Sequence, residues 1–177
     1  MPAIPETRPA PAAGVPGIRS QGLALAGFLA LSALAWLLSS VPIILNSGGW
    51  YAGSVKAPWM PPSWMFRGTW MLLYAGVATA AWLVWRKGRF AGGTRSWYVA
   101  QLLLNAAWPV TFFALYPALG AVALWAAFAV ICALAATLAF LILRFGPVDA
   151  TAGCLVLPYF SWLVYCASLN LYSAIHN

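Results

Sequence analysis

The sequence predicts an all-α integral membrane protein, a bundle of five transmembrane helices with a Trp- and Pro-rich lid loop between the first two. Composition is the first observation: 64% of the 177 residues are hydrophobic and 6% are charged, whereas soluble domains are about 45–50% apolar and about 25% charged. The second is five uncharged stretches, each close to the roughly 20 residues that cross a bilayer. So little charge excludes a soluble enzyme, a nucleic-acid-binding domain and a disordered protein.

The N-terminal part predicts a disordered Pro- and Ala-rich tail over residues 1–20, followed by a membrane domain over residues 21–177. The tail holds five prolines and little apolar surface to bury. The first span is predicted at Gly22–Leu45. A cleaved signal peptide is the alternative, because Arg8 and Arg19 precede the apolar run. That run is longer than a signal sequence needs and no small-residue cleavage site follows it, which favours a retained span.

Four further spans follow along the chain. They are predicted at Gly68–Trp85, Ser96–Tyr116, Ala118–Leu143 and Ala150–Ile175. Pro117 and Gly120 separate the third span from the fourth and predict a tight hairpin. Seven basic residues fall on the N-terminal side of this topology and two on the other. In a bacterial inner membrane, that asymmetry predicts a cytoplasmic N-terminus and an external C-terminus.

The first connection, residues 46–67, is unusually aromatic. It contains Trp50, Trp59 and Trp64, which a solvated loop does not need, and three prolines that stiffen the backbone. Two interpretations stay open on composition alone: a rigid aromatic lid lying on the bundle, or an aromatic belt at the level of the lipid headgroups.

Polar and aromatic side chains mark the faces of three spans. Gln101 and Asn105 are four residues apart on the third span, and Trp108 continues their face. An unpaired amide is costly in hydrocarbon, so this face is predicted to point inward, either to hold helices together or to line a pocket. Trp70 and Trp162 lie on aromatic stripes of the second and fifth spans. If they converge with Trp108, they form a flat-walled apolar cavity; ordinary helix packing is the alternative.

The residue types of ordinary catalysis and metal binding are scarce. Glu6 and Asp149 are the only acidic residues and are far apart, so no acid–base pair is expected. His176 is the only histidine and is predicted to have no role, with haem ligation as the less favoured alternative. The three cysteines match no metal or haem spacing and are predicted to be buried thiols. They are Cys132, Cys154 and Cys166.

Ordered motifs in this chain resemble the TspO/MBR family, the tryptophan-rich sensory proteins related to the mitochondrial translocator protein. In the first connection the resemblance rests on Trp50-Tyr51 and Lys56-x-Pro58-Trp59-x-Pro61-Pro62-x-Trp64-x-Phe66, followed by Trp70-x-x-Leu73-Tyr74. In the third span it rests on Gln101-Leu102-x-Leu104-Asn105-x-x-Trp108-Pro109, and in the fifth on Pro158-Tyr159-x-x-Trp162. The match runs in order from about Gly22 to the last residue.

The resemblance implies a five-helix bundle, usually dimeric, with a cavity under the first connection. Family members bind tetrapyrroles such as protoporphyrin and haem, sterols or other lipids, and benzodiazepine-type ligands. No cofactor is required, and porphyrin or haem would be a ligand. The implied pocket residues are Trp50, Tyr51, Trp59, Pro61, Trp70, Asn105, Trp108, Trp162 and Cys166. Some bacterial members degrade porphyrin in light, and the two tryptophans implicated there match Trp70 and Trp162.

Two departures from the family pattern affect ligand choice. No basic residue follows Arg144, so the sterol-recognition pattern that ends the animal members is missing. Cys166 stands where the family often has Ala, which predicts a different pocket shape. Lys56 or Arg67, near the mouth, is expected to pair with porphyrin propionates.

The leading functional hypothesis is a membrane receptor or sensor for tetrapyrroles. A transporter of porphyrins or lipids is the main alternative, disfavoured by the missing internal repeat and the lack of charge inside the spans. A light-dependent porphyrin-degrading enzyme and a purely structural membrane protein are the others. The expected partners are the ligand, the bilayer and a second copy of the chain, for which Gly76 and Ala80 give weak support. No nucleic acid is expected.

Overall fold

The computed structural model describes residues 17–177, and within that range it contains helices and no β-strand. The helices are α1 (Ile18–Asn46), α2 (Trp50–Gly53), α3 (Ser63–Arg86), α4 (Gly93–Pro109), α5 (Tyr116–Leu119), α6 (Ala121–Phe145) and α7 (Ala150–His176), with a π-helical segment (Val110–Ala114) after α4. This confirms the predicted all-α membrane fold. Most of the predicted tail lies outside the described residues, although α1 already begins at Ile18.

Four of the helices, α1, α3, α6 and α7, are long and apolar enough to cross a membrane. The predicted third span corresponds to the 17 residues of α4 and the five of the π-helical segment. The segment follows Pro109, which has no N–H to donate, and the Leu115 amide then bonds to the Val110 carbonyl five residues back. The count of five crossings stays a prediction, because α4 alone is shorter than about 20 residues.

The start of the predicted second span is shifted by local geometry. Helix α3 begins at Ser63, five residues before the predicted start, because extended Pro62 precedes it and Arg67 is exposed within its first turns. A long cation at a helix end reaches water, so its charge does not end the helix. The predicted hairpin between α4 and α6 is present. Its last residue, Gly120, has φ +56°, a left-handed conformation that glycine adopts without strain.

The long helices form a closed ring, in which α1 packs against α3, α3 against α7, α7 against α6, α6 against α4, and α4 against α1. Helix α7 approaches the end of α6 most closely at Gly153. A Cβ added to this glycine would lie 2.9 Å from the Cα of Gly146, the residue that follows α6. A Cβ on Gly76 would lie 3.5 Å from the Leu155 carbonyl oxygen, and Ala80 is fully buried. Ala80 therefore packs within the chain, whereas Gly76 is partly exposed, and the dimer surface stays a prediction.

The cysteines differ from the prediction that all three are buried. Cys166 is buried in the bundle, whereas Cys132 on α6 and Cys154 on α7 are exposed. The physical reason is that the lipid-facing surface of a membrane bundle is as apolar as its interior. An apolar neighbourhood in the sequence therefore does not separate a core thiol from a lipid-facing one.

Candidate ligand site beneath the aromatic lid

The first connection forms a lid, defined here as residues 47–62, whose first half is fastened to the π-helical segment. The Trp50 indole donates its Nε1–H to the Phe113 carbonyl at 3.0 Å, and its ring stacks on Tyr116 with centroids 3.7 Å apart. Tyr51 packs edge-on against Phe113 at 5.0 Å. Trp50 and Tyr51 are partly buried against the bundle, which supports the lid interpretation for the first half of the connection. Trp59 and Trp64 are 48% and 67% exposed, so the headgroup interpretation stays a prediction for these two.

The second half of the lid is fastened to α7. Trp59 donates its Nε1–H to the Ser168 hydroxyl at 3.2 Å, and the Tyr165 hydroxyl donates to the Trp59 carbonyl at 2.6 Å. The Asn177 side chain bonds both to the Val55 amide at 2.8 Å and to the Val55 carbonyl at 3.1 Å. The second half of the lid is therefore held by four hydrogen bonds to α7 and to Asn177, the residue that follows it.

Two of the expected ligand-binding tryptophans meet directly below this fastening. Trp70 on α3 and Trp162 on α7 both pack on Phe66, at centroid distances of 6.3 and 5.5 Å. Trp162 also packs on Tyr165 at 5.2 Å, which links it to the lid. The Trp162 Nε1–H is buried and has no hydrogen-bond partner among the described residues. A buried donor left unpaired costs about 1–3 kcal/mol, so this indole is a candidate hydrogen-bond donor for a polar atom that enters the site.

Trp108 belongs to a different aromatic group. It stacks on Phe112 at 5.1 Å, and its Nε1–H donates to the Asn170 Oδ1 at 2.9 Å. The Asn170 amide in turn donates to the Leu124 carbonyl on α6. The ring contacts of Trp108 are with Phe112 and Phe113, and it also packs against the buried cluster that Trp70 and Trp162 contact. The convergence of the three indoles around one cavity stays a prediction.

The amides of α4 form a buried network that crosses to α7. Asn105 donates to the Gln101 Oε1 at 3.2 Å and makes a second hydrogen bond to the Tyr159 hydroxyl. The ring of Tyr159 packs edge-on against Trp70 at 5.8 Å. Asn105 therefore holds α4 to α7, as the first interpretation predicts, and Tyr159 links it to Trp70. That this face lines a pocket stays a prediction.

The remaining predicted pocket residues lie around this group. Pro61 is partly buried in the lid, and Cys166 is buried on α7 one turn after Trp162. Within residues 17–177 no group of three His, Cys, Asp or Glu side chains could hold a metal ion. The single histidine, His176, stacks on Tyr172 of the same helix with ring centroids 3.9 Å apart.

The two cations near the mouth are not equivalent. Lys56 donates to three lid carbonyls, the shortest bond being 2.7 Å to Tyr51, and lies over the Tyr51 ring. Lys56 therefore caps the C-terminal end of the short helix α2. Arg67 is exposed on α3 and makes no ion pair within the described residues. Of the two, Arg67 is the cation that can meet an acidic ligand group.

Sequence reasoning missed the α7 residues that hold the lid. Tyr165, Ser168 and Tyr172 are spaced by three and four, so they share a helix face. That spacing was the available signal. It did not show which element the face contacts, because the partner, Trp59, is more than one hundred residues away in the chain.

Comparison with known proteins gives a consistent set of relatives. The model of the TspO/MBR family matches residues 20–175. Translocator protein of Ovis aries is 34% identical over 125 residues, which is 68% of this chain and 70% of that protein. Translocator protein of Homo sapiens is 33% identical with the same coverage. The tryptophan-rich sensory protein of Cereibacter sphaeroides is 29% identical over 143 residues, 81% of this chain and 86% of that protein.

Proposed function

This chain belongs to the TspO/MBR family and is an integral membrane protein, and we propose that it is a receptor or sensor that binds a tetrapyrrole beneath the lid. The observation that carries the proposal is the meeting of Trp70 and Trp162 on Phe66, directly under a lid that is hydrogen-bonded to α7. A porphyrin is a large flat apolar disc, and indole rings offer matching faces. Each aromatic pair adds about 0.5–1.5 kcal/mol beyond simple burial.

The polar groups of protoporphyrin or haem have suitable partners at the same place. The free Trp162 Nε1–H can donate to an acceptor at the edge of the ligand. Exposed Arg67 can pair with a propionate in a charge-assisted hydrogen bond. Entry requires the lid to leave α7, which breaks the bonds of Trp59 and of Val55. Sterols, other lipids and benzodiazepine-type compounds would use the apolar surface without these charged contacts.

Porphyrin binding is tested by titrating protoporphyrin IX into detergent-solubilised protein and following the porphyrin absorbance. Trp70→Phe and Trp162→Phe should each weaken binding by about two- to twelve-fold, the factor for one lost indole contact. Trp97→Phe is the matched control, because Trp97 packs on Phe140 away from the lid. Unchanged affinity in both test variants would contradict the proposed site, and unchanged affinity in Arg67→Glu would contradict the propionate contact.

Light-dependent porphyrin breakdown is a second proposal on the same residues. A bound porphyrin that has absorbed light can accept one electron from an electron-rich indole beside it, so that the indole is oxidised, the porphyrin is reduced, and no acid or base is needed. Trp70 and Trp162 are the two indoles that flank Phe66. Illumination of the porphyrin complex should give less product in Trp70→Phe and Trp162→Phe than in Trp97→Phe, at equal porphyrin occupancy. Wild-type product yield in both test variants would exclude this activity.

The proposed membrane orientation follows from the charges at the two ends of the bundle. Five of the nine bases, Arg86, Lys87, Arg89, Arg95 and Arg144, lie at the end of the bundle opposite the lid. If the host is a bacterial inner membrane, this end faces the cytoplasm and the lid and Asn177 lie outside. A tag after Asn177 should then be cleaved by protease added to spheroplasts. Cleavage only after lysis would reverse the orientation. The expected homodimer is tested by crosslinking in native membranes.

A further inference from the structure

A basic depression lies at the end of the bundle opposite the lid, outside the proposed ligand site. It has a volume of about 540 Å³ and is formed by the α3–α4 and α6–α7 connections and the helix ends beside them. Arg89 lines it from the first connection and Thr94 from the first turn of α4, while Arg144 lines it from the end of α6 and Pro147 and Val148 from the second connection. Two arginines and a threonine therefore line one recess together with apolar residues.

The two arginines have no acidic partner in the described part of the chain. Asp149 is the only carboxylate side chain in residues 17–177, and its Oδ2 lies 2.9 Å from the Lys87 Nζ. Its Oδ1 accepts the Ala152 amide at the start of α7. Asp149 is thus already paired and capping a helix, and Arg89 and Arg144 are left as unneutralised charges.

The surrounding contacts fix the backbone of the recess. Lys87 also donates to the Val148 carbonyl at 2.9 Å, which ties the two connections together. Gly88 has φ +67° and turns the chain so that the Arg89 amide bonds to the Val84 carbonyl. The Arg144 guanidinium lies 4.9 Å from the centre of the Phe140 ring. The recess is therefore built by fixed backbone, although its arginine side chains are exposed.

We propose that this depression binds the phosphate of an anionic phospholipid headgroup. A guanidinium group binds phosphate with two parallel hydrogen bonds, so Arg89 and Arg144 fit that chemistry. Basic recesses between transmembrane helices at the cytoplasmic face are typical sites for anionic headgroups. Pro147, Val148 and Leu143 supply apolar wall beside the charges, which suits the glycerol and the first methylenes of a lipid better than a soluble anion.

The test is a thermal-unfolding titration of the full chain in a neutral detergent with phosphatidylglycerol. A lipid that binds only the folded state raises the unfolding midpoint in a saturable way. The test variant is Arg89→Gln/Arg144→Gln, and the control is Arg86→Gln/Arg95→Gln. The control removes the same two charges from the same end of the bundle, from residues that do not line the depression.

The wild-type protein and the control should show a saturable rise of the midpoint. The test variant should need at least about tenfold more lipid, the factor for one lost charge-assisted hydrogen bond. Equal responses of the two double variants would overturn the site. An equal rise with diacylglycerol would overturn phosphate recognition, and an equal rise with glycerol phosphate would overturn the lipid assignment. Porphyrin affinity should be unchanged in the test variant. The lipid site and the proposed porphyrin site are therefore tested independently, and either can be refuted without the other.

Discussion

Replacement of Tyr165 by Phe tests whether the lid is held by its hydrogen bonds to α7. The Tyr165 hydroxyl donates to the Trp59 carbonyl at 2.6 Å, and Phe keeps the ring that packs on Trp162. The change therefore removes one hydrogen bond and little packing. Such a bond contributes about 0.5–1.5 kcal/mol, so the open lid should become about two- to thirteen-fold more populated.

Hydrogen exchange of the lid peptide measures this population directly. The Val55 amide is bonded to Asn177 and the Met60 amide to the Ala57 carbonyl, and local opening limits their exchange. Tyr172→Phe is the matched control. It also removes a hydroxyl from α7, but that hydroxyl has no hydrogen bond within the described residues, and the ring contact with Trp59 remains.

The expected result is faster exchange in the lid of Tyr165→Phe, with unchanged exchange in the cores of α6 and α7. Protoporphyrin should also associate faster with this variant, because entry requires the lid to open. Lid exchange equal to that of Tyr172→Phe and of the wild type would refute the reasoning. The lid would then be held by the rings of its first half and not by α7.

Three further changes test the packing and the charges. Gly153→Ala places a Cβ 2.9 Å from a backbone Cα and should destabilise the protein by about 1–3 kcal/mol in thermal unfolding, while Gly27→Ala, which has open space around it, should not. Trp108→Phe leaves the Asn170 Oδ1 without its indole donor and should cost about 1–3 kcal/mol in the same assay; a smaller loss would mean that the amide finds another donor. The Lys87 ammonium bonded to Asp149 holds the pKa of that carboxyl below its ordinary value, so its stabilising charge is present above about pH 4 and is lost as the pH falls through the lowered pKa. Asp149→Asn keeps an acceptor for the helix cap and should lack this acid-induced loss in a pH titration of unfolding; the same loss in both proteins would assign it elsewhere.

Much of the fold was predictable because it depends on local properties. Hydropathy placed α7 within one residue of its C-terminal end, and the helix-breaking Pro117 and Gly120 located the hairpin. It failed at the start of α3, because an exposed Arg67 is tolerated inside a helix that ends near water. It also failed for Cys132 and Cys154, because lipid and protein interior are equally apolar.

The candidate site was predictable only in part. The motif residues Trp59, Trp70 and Trp162 all lie at or below the lid, as their order in the chain and the family resemblance implied. Trp108 shares their composition but lies with Phe112. The spacing of residues along the chain shows which side chains share one face of a helix. Which helix packs against that face depends on how the helices are arranged around the bundle.

The amino-acid sequence by itself determined the membrane class, the approximate bounds of the long helices and the family. The length of apolar runs, the position of charges and the order of motifs are all properties of short stretches of sequence. Tertiary structure alone decided that α7 holds the lid, that Lys56 is used inside it, and that Arg89 and Arg144 share a recess. Those contacts join residues far apart in the chain, and the ring order of the helices selects them. Interior and lipid-facing surfaces are equally apolar, so hydropathy carries no information about that order.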